Sequence, residues 1–437
     1  MANEKTNEGL ERVIGVSGLS LNIINFTIGA GIFVLPAVVG LQLGAFSVFS
    51  YIFCAIVLAT IMLCYAETGA RVTSSGGSYA YVVTAFGEIP GFIINWLFFF
   101  GWGILGDAAL MNIVADSLAV VFPVFTKPWL RTVLFFVLLS FMILINIRGA
   151  KQGVNFIKIV TLIKLLPLVA IIIFGLGYIK TENLYWDHIP TLKSFANTSL
   201  VLFFAFAGFE TALGVSGEIK NPKRTVPLGI LLAGLVILTF YMLLQTVTQG
   251  VLGTQMAAVK DAPLAAIAEK IIGPVGATIL LFTAAFSCFS AVSGDLLATP
   301  RLLFAGAHDG LFPKFLGKVH PRFATPYMSI IVYGGLIFIF SVAGGFKQLA
   351  VLASASILLI YLSVILATIK LRSQKQEIPE KTFKVPGGLI IPLLGIAAIV
   401  WLLTSLSKWE IISTLVFITI VVIIYFITKE IKSKKRN

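Results

Sequence analysis

The chain has 437 residues, of which 58% are hydrophobic and only 12% are charged, and its mean hydropathy is +1.00. Soluble domains average about 25% charged residues, so the composition excludes a soluble enzyme and predicts a protein that crosses a membrane many times. The net charge of +13 would suit nucleic acid, but the basic residues are concentrated in the loops of one predicted membrane side. No nucleic-acid partner is therefore expected, and the bilayer is the expected surrounding.

The apolar runs predict an all-α polytopic membrane protein with twelve transmembrane helices. Because the larger basic groups share a side with both chain ends, the positive-inside rule places both termini in the cytoplasm. The plasma (inner) membrane is the expected location. In chain order, the predicted spans are 13–39, 44–70, 91–121, 129–147, 154–178, 194–217, 226–250, 273–304, 327–345, 348–369, 389–407 and 410–428.

Span 1 contains two glycines, Gly29 and Gly31, separated by one residue near its midpoint. Glycine weakens a helix, and a break at this depth frees backbone N–H and C=O groups that cannot face lipid. These groups must line a cavity or a ligand, so the sequence predicts a binding site for a small polar or charged solute. Close helix packing is the alternative explanation for an isolated glycine pair.

Span 6 contains a second interruption, in which Gly208 and Glu210 lie inside an otherwise apolar core. Spans 1 and 6 are five spans apart, which gives the two halves opposite orientations, as in transporters built from inverted repeats. The predicted organisation is a cytoplasmic tail (1–12), a first repeat of spans 1–5 (13–180), a second repeat of spans 6–10 (190–371), spans 11–12 (387–428) and a basic cytoplasmic tail (429–437).

Ionisable side chains inside predicted spans are costly and are therefore candidates for function. Lys164 is ten residues into span 5, about 15 Å deep, where it could replace a coupling cation, lose its proton during transport, or form a static ion pair. Asp107 and Asp295 lie in spans 3 and 8, which are equivalent in the predicted repeats. Glu210 could carry a proton or cap the helix that follows the break.

Neither a metal nor a cofactor is expected from the sequence. The three cysteines lie inside apolar runs, where they are typical of small buried hydrophobic residues, and the three histidines are scattered. With no cysteine in a predicted extracellular loop, no disulfide-linked partner subunit is expected either.

Four segments together resemble the amino acid–polyamine–organocation (APC) family of transporters over essentially the full chain. They are GAGIFVLP (29–36), AETGARVTSSGGSYAYVVTAFGEIPGFIINW (66–96), FFAFAGFETALGVSGEIKNPKRTVP (203–227) and PRLLFAGAHDGLFPKFLGKVHPRFATP (300–326). The resemblance implies a leucine-transporter-type 5+5 inverted repeat, with helices 1 and 6 broken around the substrate.

The resemblance also implies roles for individual residues. The N–H groups of Ala30, Gly31 and Ile32 would hold the carboxylate of an amino acid at a helix N-terminus. Carbonyl groups near Thr27, Phe204 and Ala207 would accept from its ammonium, and the Phe204 ring would gate the site. Gly208, in the same break, is a further expected substrate-binding residue. Lys164 aligns with a family lysine that resembles a built-in substitute for sodium and is implicated in proton coupling.

The leading hypothesis is secondary active transport of an amino acid by alternating access, either proton-coupled or by exchange, with sodium the less favoured ion. Asp107 and Asp295 replace an amide and a tryptophan of related arginine–agmatine exchangers, which favours a cationic amino acid or related amine as substrate. The alternative is uptake of small neutral amino acids, with these acids serving as proton sites. A channel or an amino-acid-sensing receptor is the alternative of another class, and no nucleophile–base spacing predicts an enzyme.

Overall fold

The computed structural model describes residues 14–29, 31–72, 77–148, 154–186, 189–210, 219–308, 312–323, 325–374 and 383–434. These residues are predominantly helical, and the β contact among them is an isolated parallel bridge between Ile14 and Ile219. A helix satisfies its backbone polar groups internally, which is what a chain of this hydropathy requires inside a bilayer. The predicted all-α fold is confirmed.

The first half of the chain forms eight helices. They are α1 (Val16–Thr27), α2 (Leu35–Leu43), α3 (Ser47–Arg71), α4 (Gly77–Phe86), α5 (Glu88–Trp96), α6 (Leu105–Val121), α7 (Pro128–Ile147) and α8 (Val154–Gly175). Predicted span 1 is divided between α1 and α2, as its glycines indicated. Predicted span 3 continues from α5 into α6 through a π-helical segment, Leu97–Ile104, which the sequence analysis did not predict.

The second half contains α9 (Leu192–Phe203), α10 (Pro222–Leu252), α11 (Pro263–Ile272), α12 (Pro274–His308), α13 (Tyr327–Ala343), α14 (Phe346–Ser373), α15 (Ile390–Leu403) and α16 (Lys408–Lys434). Within the described residues, seven helical stretches are long and apolar enough to cross a membrane, and three shorter apolar helices accompany them. The protein is therefore a polytopic membrane protein, while twelve spans and the inverted repeat stay predictions.

Two packing relations position the site. Helix α1 lies mainly against α10, and α6 packs on both α12 and α14. Glycines make the contact of span 3 with its neighbours close, because a Cβ on Gly101 would overlap the Ser356 side chain and one on Gly103 would lie 3.0 Å from the Tyr333 hydroxyl. The part of span 3 that precedes Asp107 is thereby held against α14 and α13.

A buried ion cluster ties the end of α3 to the end of α14. The Glu67 carboxylate is fully buried and accepts from Arg71 at 2.8 Å and from two nitrogens of Arg372 at 2.8 and 2.5 Å. The backbone N–H of Val385 donates to it at 2.8 Å, and Arg71 also donates to the carbonyl of Leu371 at 3.0 Å. By the predicted topology, this cluster lies at the cytoplasmic ends of spans 2 and 10.

Candidate functional site

The break in span 1 lies where its glycines predicted it. Helix α1 ends at Thr27, the N–H of Gly29 turns back to the Thr27 carbonyl at 2.7 Å, and a short 3₁₀ turn, Gly31–Phe33, precedes α2. Gly31 and Ile32 are buried at this turn, whereas Ala30 lies outside the described residues. The Thr27 hydroxyl oxygen is buried and has no hydrogen-bond partner among the described residues.

The break in span 6 follows the end of α9 at Phe203. Residues 204–206 form a turn, Ala207 and Gly208 are non-helical, and helical structure resumes at Phe209. Gly208 has a φ of +115°, a conformation that side chains with a Cβ rarely adopt.

The two breaks are in direct contact. A Cβ on Gly208 would lie 2.8 Å from the carbonyl oxygen of Phe26, so the backbones of spans 1 and 6 touch at this point. A Cβ on Gly31 would lie 3.3 Å from the ring of Phe204, which places that ring on the turn of span 1. The expectation that the two interrupted spans meet is confirmed.

Lys164 reaches the broken end of α1 from α8. Its Nζ donates to the carbonyl of Asn25 at 2.7 Å, and the residue is 7% exposed. The last four carbonyls of a helix lack partners within the helix, and the negative end of the helix dipole favours a cation there. The lysine thus supplies a positive charge and a donor at the point where span 1 stops.

Tyr241 of α10 contacts both breaks, and no sequence signal marked it as a site residue. Its hydroxyl donates to the Thr27 carbonyl at 2.9 Å and to the Ala205 carbonyl at 2.8 Å. The residue is fully buried, and its ring packs edge-on against Phe206 at 5.1 Å between centroids. One side chain therefore satisfies backbone carbonyls of span 1 and span 6.

Glu210 lies just after the break in span 6 and makes a capping contact. One oxygen of its carboxyl group accepts from the N–H of Gly208 at 3.1 Å and from the hydroxyl of Tyr361 at 2.5 Å. Its other oxygen is buried without a hydrogen-bond partner among the described residues. The observed contacts fit the capping alternative, and a role in proton transfer stays a prediction.

Asp107 and Asp295 come together, although they are far apart in the sequence. Their carboxyl groups lie close to each other, and the hydroxyl of Tyr333 donates to Asp107 at 2.8 Å. Two neighbouring carboxyl groups do not both ionise readily, so this acid pair is suited to hold a proton.

Three aromatic rings form a wall beside the breaks. Phe204 is 5.6 Å from Trp102 and 6.0 Å from Phe346, measured between ring centroids. A Cβ on Gly106, the residue before Asp107, would lie 3.9 Å from the Phe204 ring. The acid pair is therefore close to this aromatic wall, in which Phe204 was predicted from the motif of span 6, whereas no sequence signal marked Trp102 or Phe346. Among the described residues, no three His, Cys, Asp or Glu side chains are grouped as a metal site would require.

Comparison with known proteins agrees with this architecture. The family model described as "Amino acid permease" matches residues 13–436. The chain is 27% identical to the methylthioribose transporter and 26% identical to the branched-chain amino acid permease BcaP, both of Bacillus subtilis. Each alignment covers 98% of the chain and 95% of the relative. It is 30% identical to the vacuolar cationic amino acid transporter 4 of Arabidopsis thaliana, over 80% of the chain and 61% of that protein. Because the match spans nearly the whole chain, the protein belongs to the amino acid permease family of APC-type transporters and is not an enzyme.

Proposed function

We propose that this permease moves a neutral amino acid across the plasma membrane by alternating access, coupled to protons through Lys164. The observation that carries the proposal is the hydrogen bond from the Lys164 ammonium to Asn25, at the broken end of α1 and beside its contact with span 6. Deprotonation of a buried ammonium group weakens its hydrogen bond to a carbonyl oxygen, and the change in charge can alter how α1 and α8 pack.

Backbone groups at the two breaks would bind the two charged groups of an amino acid, its carboxylate and its ammonium. The N–H groups of Ala30, Gly31 and Ile32 would hold the carboxylate, which every amino acid shares. The ammonium would bind at carbonyl oxygens of span 6, with Phe204 and Ala207 as our candidates. The Thr27 carbonyl already accepts from Tyr241 and Gly29, so we assign Thr27 a contact through its unpartnered hydroxyl.

The contacts around the aromatic wall favour a neutral, apolar side chain over a cationic one. Trp102, Phe204 and Phe346 offer apolar surface to a substrate side chain. Asp107 already has protein partners, and a cationic substrate would have to break them. Similarity to the branched-chain permease supports this choice. In this proposal, the acid pair is a proton site and not a substrate contact.

A cationic substrate is the second candidate, and two observations favour it. Asp107 directly follows Gly106, which lies against the Phe204 ring, and one relative is named a cationic amino acid transporter. The two candidates are separated by binding a panel of amino acids to purified protein at two pH values, read as an increase in Tm. We expect leucine, isoleucine or valine, and neither lysine nor arginine, to stabilise the protein.

The double substitution Asp107→Asn/Asp295→Asn should leave affinity for the best neutral amino acid within about threefold of wild type, because amides still fill the same space. It should change the pH dependence of uptake in proteoliposomes, since neither amide can hold the proton that we assign to the acid pair. Loss of lysine and arginine uptake in this variant would support the cationic candidate instead. Unchanged lysine or arginine uptake would exclude it.

Replacing Lys164 with glutamine should abolish the dependence of uptake on an imposed pH gradient, because the amide keeps a polar side chain beside the Asn25 carbonyl but can no longer gain or lose charge. Lys164→Arg should likewise lose the response while keeping a permanent charge. The measurement is uptake into proteoliposomes at matched protein amounts, with the exposed Lys260→Gln as control. The proton role would be contradicted if wild-type uptake did not depend on the pH gradient, or if uptake by the Lys164→Gln variant still depended on it.

A further inference from the structure

We propose that Tyr241 is a positioning residue, whose hydroxyl sets the distance between the two broken spans and thereby the affinity for substrate. The inference rests on the proposed function, because it concerns the same site. The starting observation is that this hydroxyl donates at 2.9 and 2.8 Å to carbonyls of both breaks, those of Thr27 and Ala205.

The chemistry of the hydroxyl makes this link unusual. A phenol has one proton, and carbonyl oxygens only accept, so the two carbonyls share a single donor in a three-centre hydrogen bond. Such a contact is best satisfied when both carbonyls stay close to the same oxygen. If either break moves away, its carbonyl is left buried without this donor, which costs free energy inside a membrane protein. The hydroxyl therefore acts as a spacer between the segments.

The ring of Tyr241 is held firmly enough to serve as a spacer. It packs edge-on against Phe206, which belongs to the turn of span 6, and against Tyr51 of α3 at 6.3 Å between centroids. Tyr241 and Tyr51 are both fully buried. The position of the hydroxyl is thus fixed by α10, α3 and the turn of span 6, and not by the substrate.

The position of this contact explains why it bears on substrate binding. The Thr27 carbonyl accepts a hydrogen bond from the Tyr241 hydroxyl, and the unpartnered Thr27 side-chain oxygen belongs to the same residue. On the other side, Ala205 lies between Phe204, the proposed gate, and Phe206. A shift of either segment moves the groups that we assign to the amino acid. A displacement near 1 Å is enough to weaken oriented contacts markedly.

The decisive variant is Tyr241→Phe, which removes the hydroxyl and keeps the ring. The matched control is Tyr51→Phe, which keeps the ring against Tyr241 and Phe206 and removes a hydroxyl that is equally buried but donates to Gln245 at 3.1 Å. We expect Tyr241→Phe to raise the Kd of the best amino acid by at least about tenfold, the loss of one to two shared hydrogen bonds. Tyr51→Phe should bind as wild type does, although its Tm without substrate should also fall.

The readouts distinguish positioning from general stability and from failure of the proposed function. A merely structural role would lower the Tm of both variants and leave both Kd values unchanged, which would overturn the proposal. If wild-type protein binds no amino acid of the panel, the proposed function itself has failed. Should Tyr241→Phe not fold, Phe206→Leu keeps the hydroxyl but removes one support of the ring. It should then raise Kd by a smaller factor, and a wild-type Kd there would also overturn the proposal.

Discussion

Replacing Gly208 with alanine should abolish amino acid binding and lower the free energy of unfolding by about 2–4 kcal/mol. Two causes add. The φ of +115° is strained for any residue with a Cβ, and the new methyl group would lie 2.8 Å from the carbonyl oxygen of Phe26. That oxygen belongs to the backbone of span 1, so the clash can be relieved only by separating the two breaks.

The control for this prediction is Gly234→Ala in α10. Nothing lies within 4 Å of the position its Cβ would take, and its φ is not positive. Alanine there should leave substrate affinity unchanged and stabilise the helix by up to about 1 kcal/mol. Unfolding in detergent and substrate Kd would be measured on both variants. Wild-type affinity in Gly208→Ala would show that the contact between the breaks does not shape the site.

Replacing Glu67 with alanine should destabilise the protein by about 3–5 kcal/mol, because it leaves Arg71 and Arg372 without their shared carboxylate. The side chains of the two arginines are only 8% and 17% exposed, while Glu67 is fully buried. Isolated charges in such surroundings cannot recover their hydration. The loss should appear as a lower Tm and a lower yield of folded protein, measured in the absence of substrate.

Two further variants test the origin of that loss. Glu88 is exposed and accepts only from Tyr425 at 3.1 Å among its described side-chain contacts, so Glu88→Gln should change stability by less than about 0.5 kcal/mol. In an Arg372→Met background, Glu67→Ala should be less destabilising, because it leaves only one buried arginine without a charged partner instead of two. Equal losses in both backgrounds would contradict the charge argument.

The breaks in spans 1 and 6 could be predicted because their cause is local. Gly29, Gly31 and Gly208 disrupt helices through their own backbone freedom, and the count of spans between the two breaks indicated that they meet. The structure confirms both interruptions and their contact. The same reasoning brought Asp107 and Asp295 into equivalent spans, and the structure pairs them.

The partners of these groups could not be predicted. Lys164 was recognised by its depth, but its acceptor is a backbone carbonyl, and every residue carries one. Tyr241 is one tyrosine among eleven, and only the packing of α10 on α1 shows that its hydroxyl reaches two breaks. Tyr333 is similar, since its contact with Asp107 depends on how α13 crosses α6. Such contacts arise from tertiary structure and leave no pattern along the chain.

The π-helical segment Leu97–Ile104 has a consequence for how span 3 tolerates insertions and deletions. Its hydrogen bonds join residues five apart, whereas those of α5 and α6 join residues four apart. A helix can lose one residue at such a point and continue as a regular α-helix, because the wider turn holds one residue more than an α-helical turn. Asp107 would then keep its orientation toward Tyr333. A deletion within Leu97–Ile104 is therefore absorbed by this segment, whereas a one-residue deletion in a regular α-helix rotates everything beyond it by about 100°.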